Sequence, residues 1–258
     1  VSESTSVFAK YIPKAYPHQF AVVAKVGRIA GGTPTDPNVA ESWLKTKIGS
    51  SDDMIRQGVA EIMLERGISA DQAVEELQRN KHLNGFKRTR CADCPDKGEV
   101  CLDGEHQLYI EGRQMKAAIK EAGNVRWPNG RWSIKPNGEV NLLKKEGSER
   151  TSGKATRNWL AEHVFVQEDK LLLGVSEPDG VAQRFVHTFR GSGIQYEEYV
   201  DDVELRFTVV TDAQWTPEQW GLLWLTGEQQ GIGASRSQGY GRYKIIEWNP
   251  IKPTERQS

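Results

Sequence analysis

With 258 residues, 37% of them hydrophobic and 27% charged, the chain is long enough to hide roughly 70% of its unfolded surface in a core that needs no covalent staples. It has no run of 18 apolar residues, and its first twenty residues hold neither a basic stretch followed by an apolar one nor a cleavage pattern; the expectation is a cytoplasmic protein without a membrane partner. A net charge of −1 excludes a uniformly basic surface, so any affinity for phosphate has to come from a local concentration of cations.

Phe20, Val22, Ala24 and Val26 alternate with Ala21, Val23, Lys25 and Gly27, the pattern of a first strand mostly covered on both sides. Residues 29–40, IAGGTPTDPNVA, are too rich in glycine and proline for a regular element and read as a long loop. Ser51 caps a helix with Ile55, Val59, Ile62 and Met63 on one face, ended by Gly67; Ser69 with Gln72 forms a capping box for a second. A basic segment with Lys87, Arg88 and Arg90 leads into a cluster of cysteines, and QLYI follows as a short strand. From Gly112 a helix carries Met115, Ala118, Ile119 and Ala122 inward, with Arg113, Lys116 and Lys120 on another face. Asn129-Gly130 and Asn137-Gly138 mark hairpins or an extended excursion over residues 125–150, and residues 151–163 a further helix. VFVQEDKLLLG, QRFVHTFRG and VELRFTVVT are strands, the last alternating Val203, Leu205, Phe207 and Val209 with Glu204, Arg206 and Thr208. Thr216, Pro217 and Gln219 open one more helix, with Trp220, Leu223 and Trp224 inward, and a glycine-rich loop leads from it to a terminal strand.

Strand–helix–strand units flanked by further strands imply an α+β protein: a modified RRM-like (ferredoxin-like) antiparallel sheet with helices on one side. Residues 1–40 and 108–258 form its core, and 41–107 an inserted helical, zinc-binding lobe.

The glycine-rich segment is the most specific motif. Gly231, Gly233, Gly239 and Gly241 stand as G-x-G-x5-G-x-G around Arg236, with Tyr240 and Arg242 beside the last glycine. Glycines let backbone N–H groups approach a ligand, arginine forks onto phosphate oxygens and tyrosine offers a face to a base. Its place after a helix and before the last strand rules out a dinucleotide-binding turn, and it lacks the Gly-Lys-Ser/Thr ending of a P-loop. Arg113 and Lys116, one turn apart at the start of their helix, can reach the same phosphates. Trp127 and Trp132, in WPNGRW, either stack on bases or anchor hairpins.

Cys91, Cys94, Cys101 and His106 give C-x2-C-x6-C-x4-H, a set of thiolates and imidazole suited to tetrahedral structural zinc with no open position for water. His82 is a substitute ligand; free thiols or an iron–sulfur cluster are the other readings.

YIEGRQMKAAIKEA followed later by TPEQWGLLWLTGEQQGIGASRSQGYGRY resembles the RAMP superfamily of CRISPR-associated proteins, especially the backbone subunits of multisubunit RNA-guided effectors, and IAGGTPTDP resembles the loop after their first strand. The resemblance implies an antiviral ribonucleoprotein in which the chain binds a single-stranded guide RNA. Copies of the chain would polymerise head to tail along that RNA beside other effector-complex subunits. Arg113 and Lys116, with Lys120, would hold phosphates on the helix, and Gly231, Gly233, Arg236, Gly239 and Gly241 in the loop. It also implies two catalytic alternatives, endoribonucleases using Asp36 to cleave a target or His18 to process a precursor. A structural or host-interaction protein on the same fold is the third alternative.

Overall fold

The protein is described here by a computed structural model covering residues 15–34, 83–90, 106–143, 153–188 and 191–251. The helices expected between Ser51 and Arg79, Asp36, His82 and all three cysteines lie outside those residues. In chain order the strands and helices are β1 (His18–Ala30), β2 (Thr33–Pro34), β3 (Leu83–Gly85), β4 (Lys87–Arg88), β5 (Leu108–Glu111), α1 (Gly112–Arg126), β6 (Arg131–Ile134) and β7 (Val140–Leu143). They continue with β8 (Lys154–Ala155), α2 (Thr156–His163), β9 (Val164–Val166), β10 (Lys170–Leu172), β11 (Gly180–Thr188), β12 (Gly191–Thr211), α3 (Pro217–Gln230) and β13 (Tyr243–Pro250). The fold is thus mixed α+β. It divides into two compact units, one of residues 1–29, 109–175 and 201–258 and the other of residues 30–108 and 176–200.

The first unit is built on strands in the order β13-β1-β12-β9, with β1 antiparallel to β13 and β9 antiparallel to β12. Chain order through it is β1-α1-β9-β12-α3-β13. Alternation decides which face the helices cover. Val22, Ala24 and Val26 of β1 and Val203, Leu205, Phe207 and Val209 of β12 are all buried, and Phe20, Phe207 and Tyr243 meet tryptophans of α3. Glu204 and Arg206 point the other way and are exposed.

On α1, buried Met115, Ala118, Ile119 and Ala122 recur at spacings of three and four, and each such side chain removed from water contributes on the order of 1–3 kcal/mol. Small residues let α1 approach its neighbours. A methyl on Gly123 would run into Leu160 of α2, and Gly227 of α3 sits against Ala122 and the Tyr243 hydroxyl. α3 begins as its sequence dictates: Thr216 Oγ1 accepts from Gln219 N at 3.1 Å, Gln219 Oε1 accepts from Thr216 N at 2.9 Å, and Pro217 opens the first turn.

Aromatic rings knit this unit together. Trp127 meets Trp132 edge-on at 5.0 Å, Trp132 stacks on Trp215 at 5.2 Å, and Trp215, Trp220, Trp248 and Phe20 continue the series. Trp132 is 1% exposed and its indole N–H donates to Thr156 Oγ1 at 2.8 Å, so it anchors the core and presents no face to a base. Asn137-Gly138 does form the β6–β7 hairpin, with Ile134 opposite Val140. Asn129-Gly130 instead lies in a turn after α1, closed by Gly130 N donating to Trp127 O at 3.0 Å. VFVQEDKLLLG is two strands: after Val166 the chain turns so that Gly112 N donates to Asp169 O, and β10 pairs with β5.

In the second unit the first half of β12 pairs with β11 along its length and with β3 in parallel at Tyr196 and Glu197, and β3 carries β2. Gly31 lies so close to Gly85 that a side chain there would collide with its backbone. Arg184 meets the 2%-exposed Glu197 at 2.6 Å, and burial raises the pKa of Glu198, which accepts from Phe86 N at 3.0 Å. No helix among the described residues is long and apolar enough to cross a membrane.

Candidate nucleic-acid interface

The glycine-rich segment is a folded loop. Gly231, Gly233, Gly239 and Gly241 all have positive φ, between 71° and 88°, a conformation other residues adopt only at a cost. Two of the four are required by packing as well. A side chain on Gly231 would press on the backbone of Tyr240 and Gly241, and one on Gly241 would collide with the carbonyl of Ile232. Ile232 N donates to Gly241 O at 2.9 Å and Gly241 N donates to Arg28 O at 2.6 Å, so the loop's two ends are stitched to each other and to β1. Between them Arg236, Ser237 and Gln238 form a 3-10 turn with Ser235 left-handed before it and Gly239 after it. Gly239 has nothing within 4 Å of where a side chain would go. This turn, with Ser237, Gln238 and Gly239 exposed, is the part of the loop that can meet a ligand.

Arg236 reaches back to α1, where its guanidinium donates to Glu121 at 2.6 Å. Glu121 lies within the YIEGRQMKAAIKEA segment, where the sequence assigns it no role; its acid type beside Lys120 is the only hint of such a tie. On the same helix Arg113 is largely exposed and ion-paired with Glu111, while Lys120 has no partner among the described residues. Lys116 lies 3.7 Å over the ring of Phe165 of β9, and Phe165 meets Tyr16 edge-on at 5.3 Å. Burial, and secondarily the charge of Lys120, lowers the pKa of Lys116. Lys116 and Glu121 are five positions apart, about 140° around a helix, so Lys116 and Arg236 flank α1 on different sides with Arg113 and Lys120 between them. The geometry is therefore a cationic helix bordered by an aromatic pair on one flank and a glycine loop on the other.

Of the remaining predicted residues, Tyr240 is half-buried and Arg242 exposed, and His18 is half-buried at the start of β1. In the second unit, Arg88 donates to Glu177 at 2.9 and 3.0 Å and to the Ser176 carbonyl; Lys87 is half-buried and Arg90 exposed. His106, 6% exposed, holds its Nδ1 2.7 Å from the Thr89 carbonyl. Among the described residues no group of histidine, cysteine, aspartate or glutamate side chains is disposed to hold a metal, but Cys91, Cys94 and Cys101 are not among them.

No family model and no curated protein matches the sequence. Solved structures resemble it at low identity. A chain of a Type III-B Cmr-beta complex bound to cognate target RNA has a TM-score of 0.41 and 8% identity, covering 94% of this chain and 63% of its own length. A chain of a Type IV-B CRISPR complex has a TM-score of 0.38 and 11% identity, covering 93% of each. The chain thus spans less than two thirds of the first of these. Scores and identities this low establish neither family nor activity.

Proposed function

We propose that the chain is an RNA-binding backbone subunit of a CRISPR-type ribonucleoprotein, holding a single-stranded guide by its phosphates and joining copies of itself and other subunits along it. One observation carries the reading. A rigid glycine loop between the second helix and last strand of a β-α-β-β-α-β arrangement is tied, through Arg236 and Glu121, to a helix that presents Arg113, Lys116 and Lys120. The strand order and helix placement support reading the first unit as a ferredoxin-like, RRM-like core.

Arg236 and Arg113 are each paired with a surface carboxylate, pairs worth at most about 1 kcal/mol. A phosphate can replace those carboxylates through a charge-assisted fork without a large penalty. The role is binding: a phosphate-holding surface needs no general base. A structural zinc belongs to the proposal. With Nδ1 of His106 donating to the Thr89 carbonyl, Nε2 is the nitrogen a metal would take, the arrangement common to histidine ligands; Cys91, Cys94 and Cys101 would supply the thiolates.

The test is fluorescence-anisotropy titration of the full chain with equal-length single-stranded RNA, single-stranded DNA and duplex DNA at two salt concentrations. Binding that prefers RNA, weakens with salt and leaves the RNA uncut is expected, and Arg113→Gln with Lys120→Gln should weaken it. Equal or absent binding to all three would overturn the reading.

A further inference from the structure

The register of β1 against β13 brings together charges that the glycine loop and α1 leave aside. Val26 faces Tyr243 on the helix-covered side of the sheet, so the next pair, Lys25 and Lys244, lies directly opposite on the other side. One step further, Gly27 N donates to the carbonyl of Arg242, and alternation puts Arg242 on the same side as Lys244. All three cations are exposed, and none forms an ion pair or side-chain hydrogen bond with a described residue. Gly27 adds open space, since nothing lies within 4 Å of where its side chain would be.

Like charges directly across an antiparallel ladder destabilise it, so the Lys25–Lys244 pair opposes folding and needs another account. Neither Glu247 nor Glu204 forms an ion pair with it. Glu247 lies opposite Val23, beyond the bulge left by Ile246, and approaches Asn249 at 3.4 Å; Glu204 of β12 is taken by Arg206 at 3.0 Å. The cluster also continues the loop: Gly239, Tyr240 and Gly241 lead straight into Arg242 and β13.

We propose that Lys25, Lys244 and Arg242 form a second phosphate-binding surface, on the sheet face away from the helices, along which the phosphodiester chain of a single-stranded RNA continues after leaving the glycine loop. The identity of the polymer rests on the function proposed above; the anion site itself does not. Lys25 and Lys244 sit on two hydrogen-bonded strands and Arg242 immediately precedes β13, so their backbones are held in place before the ligand arrives, whereas exposed lysines on a loop would have to be ordered by it.

Two arms test the site in the full chain. In the first, RNA affinity is measured across salt concentrations for the wild type, Lys25→Gln/Lys244→Gln and Arg113→Gln/Lys120→Gln. Loss of two phosphate contacts to a single strand should reduce the slope of log affinity against log salt by about 1.4 in the sheet variant, in addition to whatever the helix variant loses. An unchanged slope in the sheet variant overturns the proposal. In the second arm, thermal midpoints are recorded with increasing sodium tripolyphosphate. The rise should be smaller in the sheet variant than in the wild type, because one of two anion surfaces is lost; an equal rise in the two overturns the site. If the wild type binds no RNA, the function proposed above falls, and the tripolyphosphate arm alone decides whether this face is an anion site.

Discussion

Gly239 and Gly241 stand two residues apart in one loop, both with positive φ, yet replacing each with alanine should have unequal consequences. A Cβ in the left-handed region costs about 1–2 kcal/mol, and at Gly239, with φ of 88° and open space around it, that is the whole of the cost. At Gly241 the Cβ lands on the Ile232 carbonyl, and the backbone can move away only by breaking two bonds, Gly241 N to Arg28 O and Ile232 N to Gly241 O. Each is worth about 1 kcal/mol net, so Gly241→Ala should cost about 3–4 kcal/mol in all. Urea denaturation followed by tryptophan fluorescence reads the difference, since Trp220, Trp224 and Trp248 lie in the same unit. With a slope near 3 kcal/mol per molar, the midpoint should fall by about 0.5 M for Gly239→Ala and by about 1.2 M for Gly241→Ala. Gly239→Ala should also weaken RNA binding at least as much as it weakens the fold, because its bare backbone is the part of the loop open to a phosphate. Equal midpoints for the two variants, or a larger loss at Gly239, would refute the division of this loop into a structural half and a binding half.

Thr156→Val should lower stability by about 1–3 kcal/mol, because it leaves the buried Trp132 indole N–H without its 2.8 Å acceptor and the Trp127 carbonyl without its donor; an unchanged denaturation midpoint would contradict this. For Lys116, the folded pKa lies below the unfolded one, so between the two values the unfolded chain binds more protons and stability rises with pH. Relative to Lys116→Gln, the wild type should therefore gain in urea midpoint as pH rises from neutrality toward the ordinary lysine range, and parallel curves would refute the burial of that ammonium. Elemental analysis of the purified chain should find about one zinc per molecule, lost in Cys91→Ser/Cys94→Ser; a chain folded without zinc would remove the metal from the proposal.

Much of the first unit was legible because its signals are local. The capping box at Thr216 and Gln219, the strand alternation from Val203 to Val209 and the helical spacing of Met115, Ala118, Ile119 and Ala122 each appear as the sequence implies. What was misread depended on partners far away in the chain. WPNGRW left Trp132 open between stacking on a base and anchoring a hairpin, and only Trp215 and Thr156, 83 and 24 positions on, decide for the anchor. The break in VFVQEDKLLLG follows from Gly112 and β5 receiving the turn at Asp169, again a non-local fact. At the candidate site the cations were visible as residue types, but not their resting pairings: Glu111 and Glu121 stand in the same segment without showing which arginine each holds, and the Phe165 ring lies outside it. Lys25 was read on a strand mostly covered on both sides, and its exposure and significance came only from the register that sets Lys244 against it.

Those resting partners reconcile a net charge of −1 with the proposed phosphate-binding role. Arg113, Arg236 and Arg88 each hold a carboxylate at rest, with at least a quarter of the side chain exposed on one or both members, so each pair is weak and exchangeable. A phosphate that takes one of these arginines releases a carboxylate to solvent, and fewer counterions leave the nucleic acid's neighbourhood unbalanced than when a bare lysine binds. Lys120, Lys25, Lys244 and Arg242 have no such partner among the described residues and contribute their full charge. The salt dependence of binding should accordingly be governed by these four cations more than by the arginines, even where the arginines supply the directional forks. Arg236→Gln should thus lower affinity at every salt concentration with a smaller change of slope than Lys244→Gln. The reverse ordering of slopes would mean that the Arg236–Glu121 pair is already open in the free protein.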